Sequence, residues 1–182
     1  EGITNIQAQD IAYGDELGYV LKLLAIGKNG EKGVEVRVHP AFIRKDHPLA
    51  SVNDSFNAVY LKGDSVGDIM LYGRGAGDMP TGSAIVSDVI YAATHNDVKY
   101  ATFKNGATAE AGVKFVTDFR SRYYIRFTAK DRAGVQKGED CENIPIILIT
   151  HETNEYSVRR ALDKIGALED VVSVDSMIRV ES

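Results

Sequence analysis

The alternation of apolar and polar positions divides the chain into a first stretch of two hairpins and a later stretch of strand, turn, strand, helix and strand. "IQAQDIAYGDELGY" sets Ile6, Ile11 and Leu17 among polar residues, with Gly14 and Gly18 interrupting, and predicts two short helical pieces. From Tyr19 to Ile26 the apolar density rises. "GKNGEKG" follows, and its Asn29-Gly30 pair signals a hairpin turn because both residues tolerate positive φ. "GVEVRVHPAF" then alternates, with Val34, Val36 and Val38 on one face and Glu35, Arg37 and His39 on the other. This predicts a half-buried antiparallel strand that Pro40 ends or confines to a sheet edge. A second hairpin joins "NAVYLKG" to "GDIMLYG" across "GDSVG". Ile85, Val86, Val89, Ile90 and Ala93 form the apolar stripe of a following helix, with Pro80 in its first turn and Asp78 or Thr81 placed to cap it.

"THNDVKYATFKNGATAEAGVKFVTDF" has little periodicity and reads as a connection, with a domain boundary near Asp118. Beyond it, "SRYYIRFTAKD" alternates Tyr124, Arg126 and Thr128 against Tyr123, Ile125 and Phe127, and "NIPIILITH" is a second strong strand. "NEYSVRRALDKIG" is amphipathic, with Val158, Ala161, Leu162 and Ile165 inward and Gly166 as its stop; "VVSVDSMIRV" closes as a strand. The expected fold is α+β: a mostly antiparallel sheet with helices on one face over residues 1–118, then a small α+β domain over residues 119–182.

Composition removes several classes of function. The 182 residues carry 21 Lys and Arg against 26 Asp and Glu, a net charge of −5, with no dense basic run, which argues against a nucleic-acid surface. No apolar run approaches the ~20 residues that span a bilayer, so no membrane association is expected. A single cysteine, Cys141, precludes an internal disulfide and fits a reducing cytoplasm. His39, His47, His95 and His151 share no ligand spacing, so no metal site is expected. The chain starts "EGITNI", directly in ordered-looking sequence, and reads as a piece of a longer protein.

The candidate chemistry lies in "LYGRGAGDMPTGSAIVSDVI". A strand runs into Gly73, Gly75 and Gly77 and then into a helix. Glycines let a backbone approach a ligand closely, and N–H groups ahead of a helix present partial positive charge. The same glycines would equally serve a bare change of chain direction. Arg74 has two readings as well, a contact to a phosphate or a solvated side chain.

"VRVHPAFIRKDHPLASV" followed by "FNAVYLKGDSVGDIMLYGRGAGDMPTGSAIVSDVI" closely resembles the later part of the catalytic domain of bacterial homoserine dehydrogenases. "EGITNIQAQDIAYGDELGYVLKLLAIGK" fits the stretch just before it, and "SRYYIRFTAKDRAGV" onward resembles the ACT regulatory domain that many of these enzymes carry. The resemblance implies NAD(P)-linked interconversion of homoserine and aspartate semialdehyde. It implies that Gly73, Gly75, Ala76 and Gly77 contact NAD or NADP, held mostly by a Rossmann domain that this chain lacks. It also places the catalytic residues upstream of Glu1, so none is expected here, Lys22 included. Asp131, Ala133 and Gly134 match the ligand-side loop of ACT domains, with threonine a candidate effector. A homo-oligomer, dimer or tetramer, is the implied assembly.

One departure stands out. ACT domains run strand, helix, strand, strand, helix, strand, but here "DRAGV" passes straight to "QKGEDCENIP", with no residues for the first helix and second strand. That loss would leave part of the sheet's apolar face uncovered. The alternative reading is a stand-alone amino-acid-binding module of the ACT type without catalysis.

Overall fold

The computed structural model describes residues 2–95, 114–131 and 143–181. In chain order the elements are α1 (Ala8–Glu16), β1 (Tyr19–Gly30), β2 (Gly33–Arg44), β3 (Phe56–Gly63), β4 (Gly67–Arg74), α2 (Asp78–Thr94), β5 (Arg120–Lys130), β6 (Asn143–Ile149), β7 (Thr153–Asn154), α3 (Glu155–Gly166) and β8 (Val171–Glu181). They belong to two compact units. One draws on Glu1–Lys45 and Val113–Ser182, the other on Asp46–Gly112.

In the first unit the two ends of the chain share one sheet of order β1-β2-β8-β5-β6, with β7 paired to β5. All its ladders are antiparallel except a short parallel one, where Ala41, Phe42 and Ile43 of β2 face Arg179, Val180 and Glu181 of β8. The expected hairpin β1–β2 forms, but its loop is Glu31-Lys32: Asn29 and Gly30 are still paired, and the positive φ falls on Gly33. Pro40 does not end β2, which continues to Arg44. It faces Leu23 and sits one residue before the β8 ladder begins, where its missing N–H costs the sheet nothing.

The sheet is covered on both faces, not one. Phe42, Tyr124, Ile178 and Val180 form a core on one side with Ile6 and Tyr13 from α1 and its approach. Tyr123, Ile125 and Val158 form the other with Phe127 and Leu162, beneath α3. β5, flanked by β8 and β6, is therefore buried on both faces, and its alternation separates two cores instead of core from solvent. The two expected N-terminal helical pieces are a single helix. Gly14 does not interrupt α1; a Cβ there would collide with the Phe42 ring, so the glycine lets α1 lie close on β2.

Each face also holds a buried ionic cluster. Under α1, Arg126 Nε donates to Asp10 Oδ1 at 2.7 Å, Tyr124 OH donates to the same oxygen at 3.1 Å, and Arg126 Nη1 reaches Asp175 Oδ2 at 3.2 Å. On the α3 face, Arg37 Nη2 donates to Glu181 Oε1 at 2.8 Å and Arg179 Nε to Glu155 Oε2 at 2.9 Å. The two faces expected along β2 form, and the polar one is the inner one. Glu35, Arg37 and His39 point inward, while Val36 and Val38 are 60% and 56% exposed. Alternation identifies two faces but does not say which one a distant helix will cover.

In the second unit β3 and β4 pair in the expected register, Asn57 with Gly73 through Gly63 with Gly67. Phe56 and Tyr72 stack at 4.8 Å, and His47 meets Tyr60 edge-on at 5.1 Å. α2 forms as expected, yet its stripe of Ile85, Val86, Val89 and Ile90 is 57–62% exposed. No described helix is long and apolar enough to cross a membrane.

Candidate functional site

The glycine turn lies where β4 ends and α2 begins. Its three glycines serve different purposes. Gly77 is the residue before the helix and has φ +122°, a region that strains any residue with a Cβ. Gly75 has no such φ; a Cβ there would land on the Nδ2 and Cγ of Asn57. Gly73 faces open space, with no atom within 4 Å of where its Cβ would be. Turn geometry accounts for Gly77, a close side-chain neighbour accounts for Gly75, and nothing in the fold requires Gly73.

The backbone donors are shared unevenly. Gly75 N–H is committed to Ser55 O at 2.9 Å, so Gly75 offers a ligand no donor. Thr81 N–H returns to Gly77 O at 3.1 Å as the first bond of α2. Neither Asp78 nor Thr81 caps the helix: the capping position is Gly77, which has no side chain to offer. The N–H groups of Asp78 and Met79 are the unpaired donors of the first turn, since Pro80 has none. Asp78 places its own carboxylate in that turn, which complements the helix dipole and tempers attraction for an anionic ligand. Arg74 is held on the Phe56 ring, guanidinium 4.9 Å from the centroid, with Nη1 3.5 Å from Ser55 Oγ.

Asp131 follows the end of β5 and is half-buried; Ala133 and Gly134, its expected companions, lie outside the described residues, as does Cys141. Lys22 sits within β1. Among the described residues no three or more His, Cys, Asp or Glu gather as they would around a metal ion. Sequence reasoning missed Asn57. Its signal was available in the hairpin register, which sets it opposite Gly73, but its contact with Gly75 depends on how the chain bends after β4.

His39 lies on the inner face of β2. It is buried at 1% exposure, and desolvation chiefly lowers its pKa below the usual 6.5, with Arg179 and Arg37 adding to the effect. Its Nδ1 donates to Pro40 O at 3.0 Å, which leaves Nε2 as the bare nitrogen, 4.0 Å from Glu181 Oε1.

The family model described as homoserine dehydrogenase matches residues 1–90, a span that contains both hairpins and the whole glycine turn. The chain belongs to the homoserine dehydrogenase family. The homoserine dehydrogenase of Synechocystis is 40% identical over 216 aligned positions, covering all of this chain and 49% of the relative. That of Neisseria gonorrhoeae is 35% identical over 208 positions, with 48% of it covered. Among solved structures, a homoserine dehydrogenase from Thiobacillus denitrificans superposes with a TM-score of 0.82 at 34% identity, over all of this chain and 47% of that one. The chain therefore spans about half the length of the curated homoserine dehydrogenases it matches. The Synechocystis alignment has 216 positions for 182 residues, so 34 of them have no counterpart in this chain.

Proposed function

We propose that the chain is the part of a homoserine dehydrogenase that presents the turn Gly73–Gly77 to NAD or NADP, in an enzyme interconverting L-homoserine and L-aspartate 4-semialdehyde on the route to threonine and methionine. The carrying observation is that the family match runs through the entire turn, where Gly73 is a glycine for which the fold has no need. The residues fit a dinucleotide: an open surface without a side chain at Gly73, and open donors at Asp78 and Met79 that suit a phosphate or ribose oxygen. The cofactor, when bound, supplies the hydride chemistry. This chain's residues would bind and orient it, and the groups that move protons belong to the part of the enzyme outside these residues.

The C-terminal segment acts in this reading as an amino-acid-sensing ACT-type domain, with Asp131, Ala133 and Gly134 toward the effector. Supporting it is the order β8-β5-β6 with α3 on one face. The proposed protein is a cytoplasmic homo-oligomer. The exposed Leu23, Val36 and Val38 on β1 and β2 support self-association, which sedimentation at micromolar concentration tests.

The decisive experiment is Gly73→Val in the intact enzyme. A side chain there fits the fold, so the melting temperature should hold while the KM for the cofactor rises at least about tenfold and that for homoserine does not. An unchanged cofactor KM would remove the turn from the cofactor site.

A further inference from the structure

On one face of the β3–β4 hairpin the cross-strand rows are Leu61 with Ile69, Val59 with Leu71, and then Asn57 with Gly73 at the end nearest the turn. The first two rows are apolar and 38–60% exposed. The third has a single side chain, and it is polar. Asn57 is exposed, and its carboxamide has no hydrogen-bond partner among the described residues. Its Nδ2 and Cγ lie against Gly75, in the space a Cβ would fill. Its cross-strand neighbour Gly73 leaves open space beside it. Arg74 is folded onto Phe56, whose side chain points to the opposite face of the strand from its neighbour Asn57. Thus, among the described residues of the β3–β4 ladder, the Asn57 amide is the side-chain hydrogen-bonding group beside Gly73 and Gly75 on this face.

We propose that Asn57 is a further binding residue of the cofactor site, its carboxamide hydrogen-bonding a ribose, phosphate or carboxamide group of the dinucleotide lying over Gly73. This rests on the reading of the turn as a cofactor surface. The glycines give the ligand access, and the amide gives it a directed polar contact that backbone already committed to Ser55 cannot supply. The contact also gives Gly75 a second purpose: any side chain there would dislodge the amide.

The test uses the intact enzyme with three single variants: Asn57→Ala, Asn57→Asp and Gly73→Val. Cofactor KM, homoserine KM, NADPH dissociation constant by fluorescence, and melting temperature are read for each. Loss of one uncharged hydrogen bond predicts a cofactor KM and dissociation constant roughly three- to tenfold higher in Asn57→Ala, with homoserine KM and melting temperature unmoved. Asn57→Asp keeps the shape but sets a negative charge against an anionic dinucleotide, so it should be the worse of the two. A residue that merely shapes the loop would reverse that order, Asp performing like Asn, and this would overturn the proposal. If Gly73→Val weakens cofactor binding while both Asn57 variants leave it intact, the Asn57 contact is wrong and the cofactor turn stands. If none of the three changes cofactor binding, both are wrong.

Discussion

Asp10 and Arg126, 116 residues apart in the chain, meet as a buried ion pair at 2.7 Å, with exposures of 0% and 4% for their side chains. The pair binds α1, from the start of the chain, to β5 from its last third. It does not stand alone: Gln7 Oε1 accepts from Arg126 Nη2 at 2.7 Å, and Thr128 Oγ1 donates to Asp175 Oδ2 at 2.7 Å. With its polar atoms satisfied, the cluster is tolerable in the interior and intolerant of losing one member.

Asp10→Ala should therefore destabilise the first unit by about 3–5 kcal/mol, the cost of stranding a buried guanidinium. Replacing both partners, Asp10→Leu with Arg126→Met, should cost much less than the sum of the single changes. Urea unfolding of the four proteins measures this coupling. Additive single effects would show that the pair does not act as a unit.

The three glycines of the turn should separate in a melting series. Gly77→Ala places a Cβ at φ +122° and should cost about 1–3 kcal/mol. Gly73→Ala should be neutral or slightly stabilising, since its site is open. Gly75→Ala should be destabilising, and Asn57→Ala in the same chain should recover most of the loss. Recovery will be incomplete, because the Asn57 Cβ remains 3.2 Å from the new methyl position. If Asn57→Ala gives no recovery, the clash is not what Gly75 avoids.

Burial of His39 makes stability fall with acidity. Its folded-state pKa is lowered from 6.5, mainly by desolvation and then by Arg179 and Arg37, so between that lowered value and 6.5 the unfolded chain binds more protons. The stabilisation is complete above pH 6.5 and is lost as the pH falls toward the folded pKa. His39→Gln should flatten the slope of melting temperature against pH over this window. A slope identical to that of the unmodified chain would assign the acid sensitivity elsewhere.

At the alkaline end the sign reverses. Desolvation, aided by Glu155, pushes the Tyr123 phenol up to about 12, so the unfolded chain loses its proton first, near pH 10. Stability should decline from about pH 10 upward, and Tyr123→Phe, which also removes a buried hydroxyl without a partner, should abolish that part of the decline. Melting curves from pH 9 to 11 decide it.

The isolated chain should not reduce NAD or NADP with homoserine, since the proposed dinucleotide fold and proton-transfer residues lie outside it. Absorbance at the nicotinamide band is the measurement; homoserine-dependent reduction by the purified chain would contradict the proposal.

Short-range signals in the sequence were enough for both hairpins, for α2 and α3, and for the strand-to-helix glycine turn. Turn residues, period-two alternation and helical spacing act within about ten residues of one another, so the chain carries them wherever it folds. α3 is the clearest case: Asn154 accepts from Ser157 N–H at 2.9 Å, and Val158 and Leu162 point to the core. Tertiary structure alone decided which face of each element is buried and against what. Val36 and Val38 look like core residues by alternation, yet Glu35, Arg37 and His39 face inward because Glu181, at the far end of the chain, comes to lie beside them. Gly14 reads as a helix breaker until Phe42 is seen against it, and Gly75 reads as a flexible link until Asn57 is. Periodicity records that a residue has two sides; only the partner brought by the fold determines which side leaves water, because desolvation and ion pairing belong to the neighbour as much as to the residue.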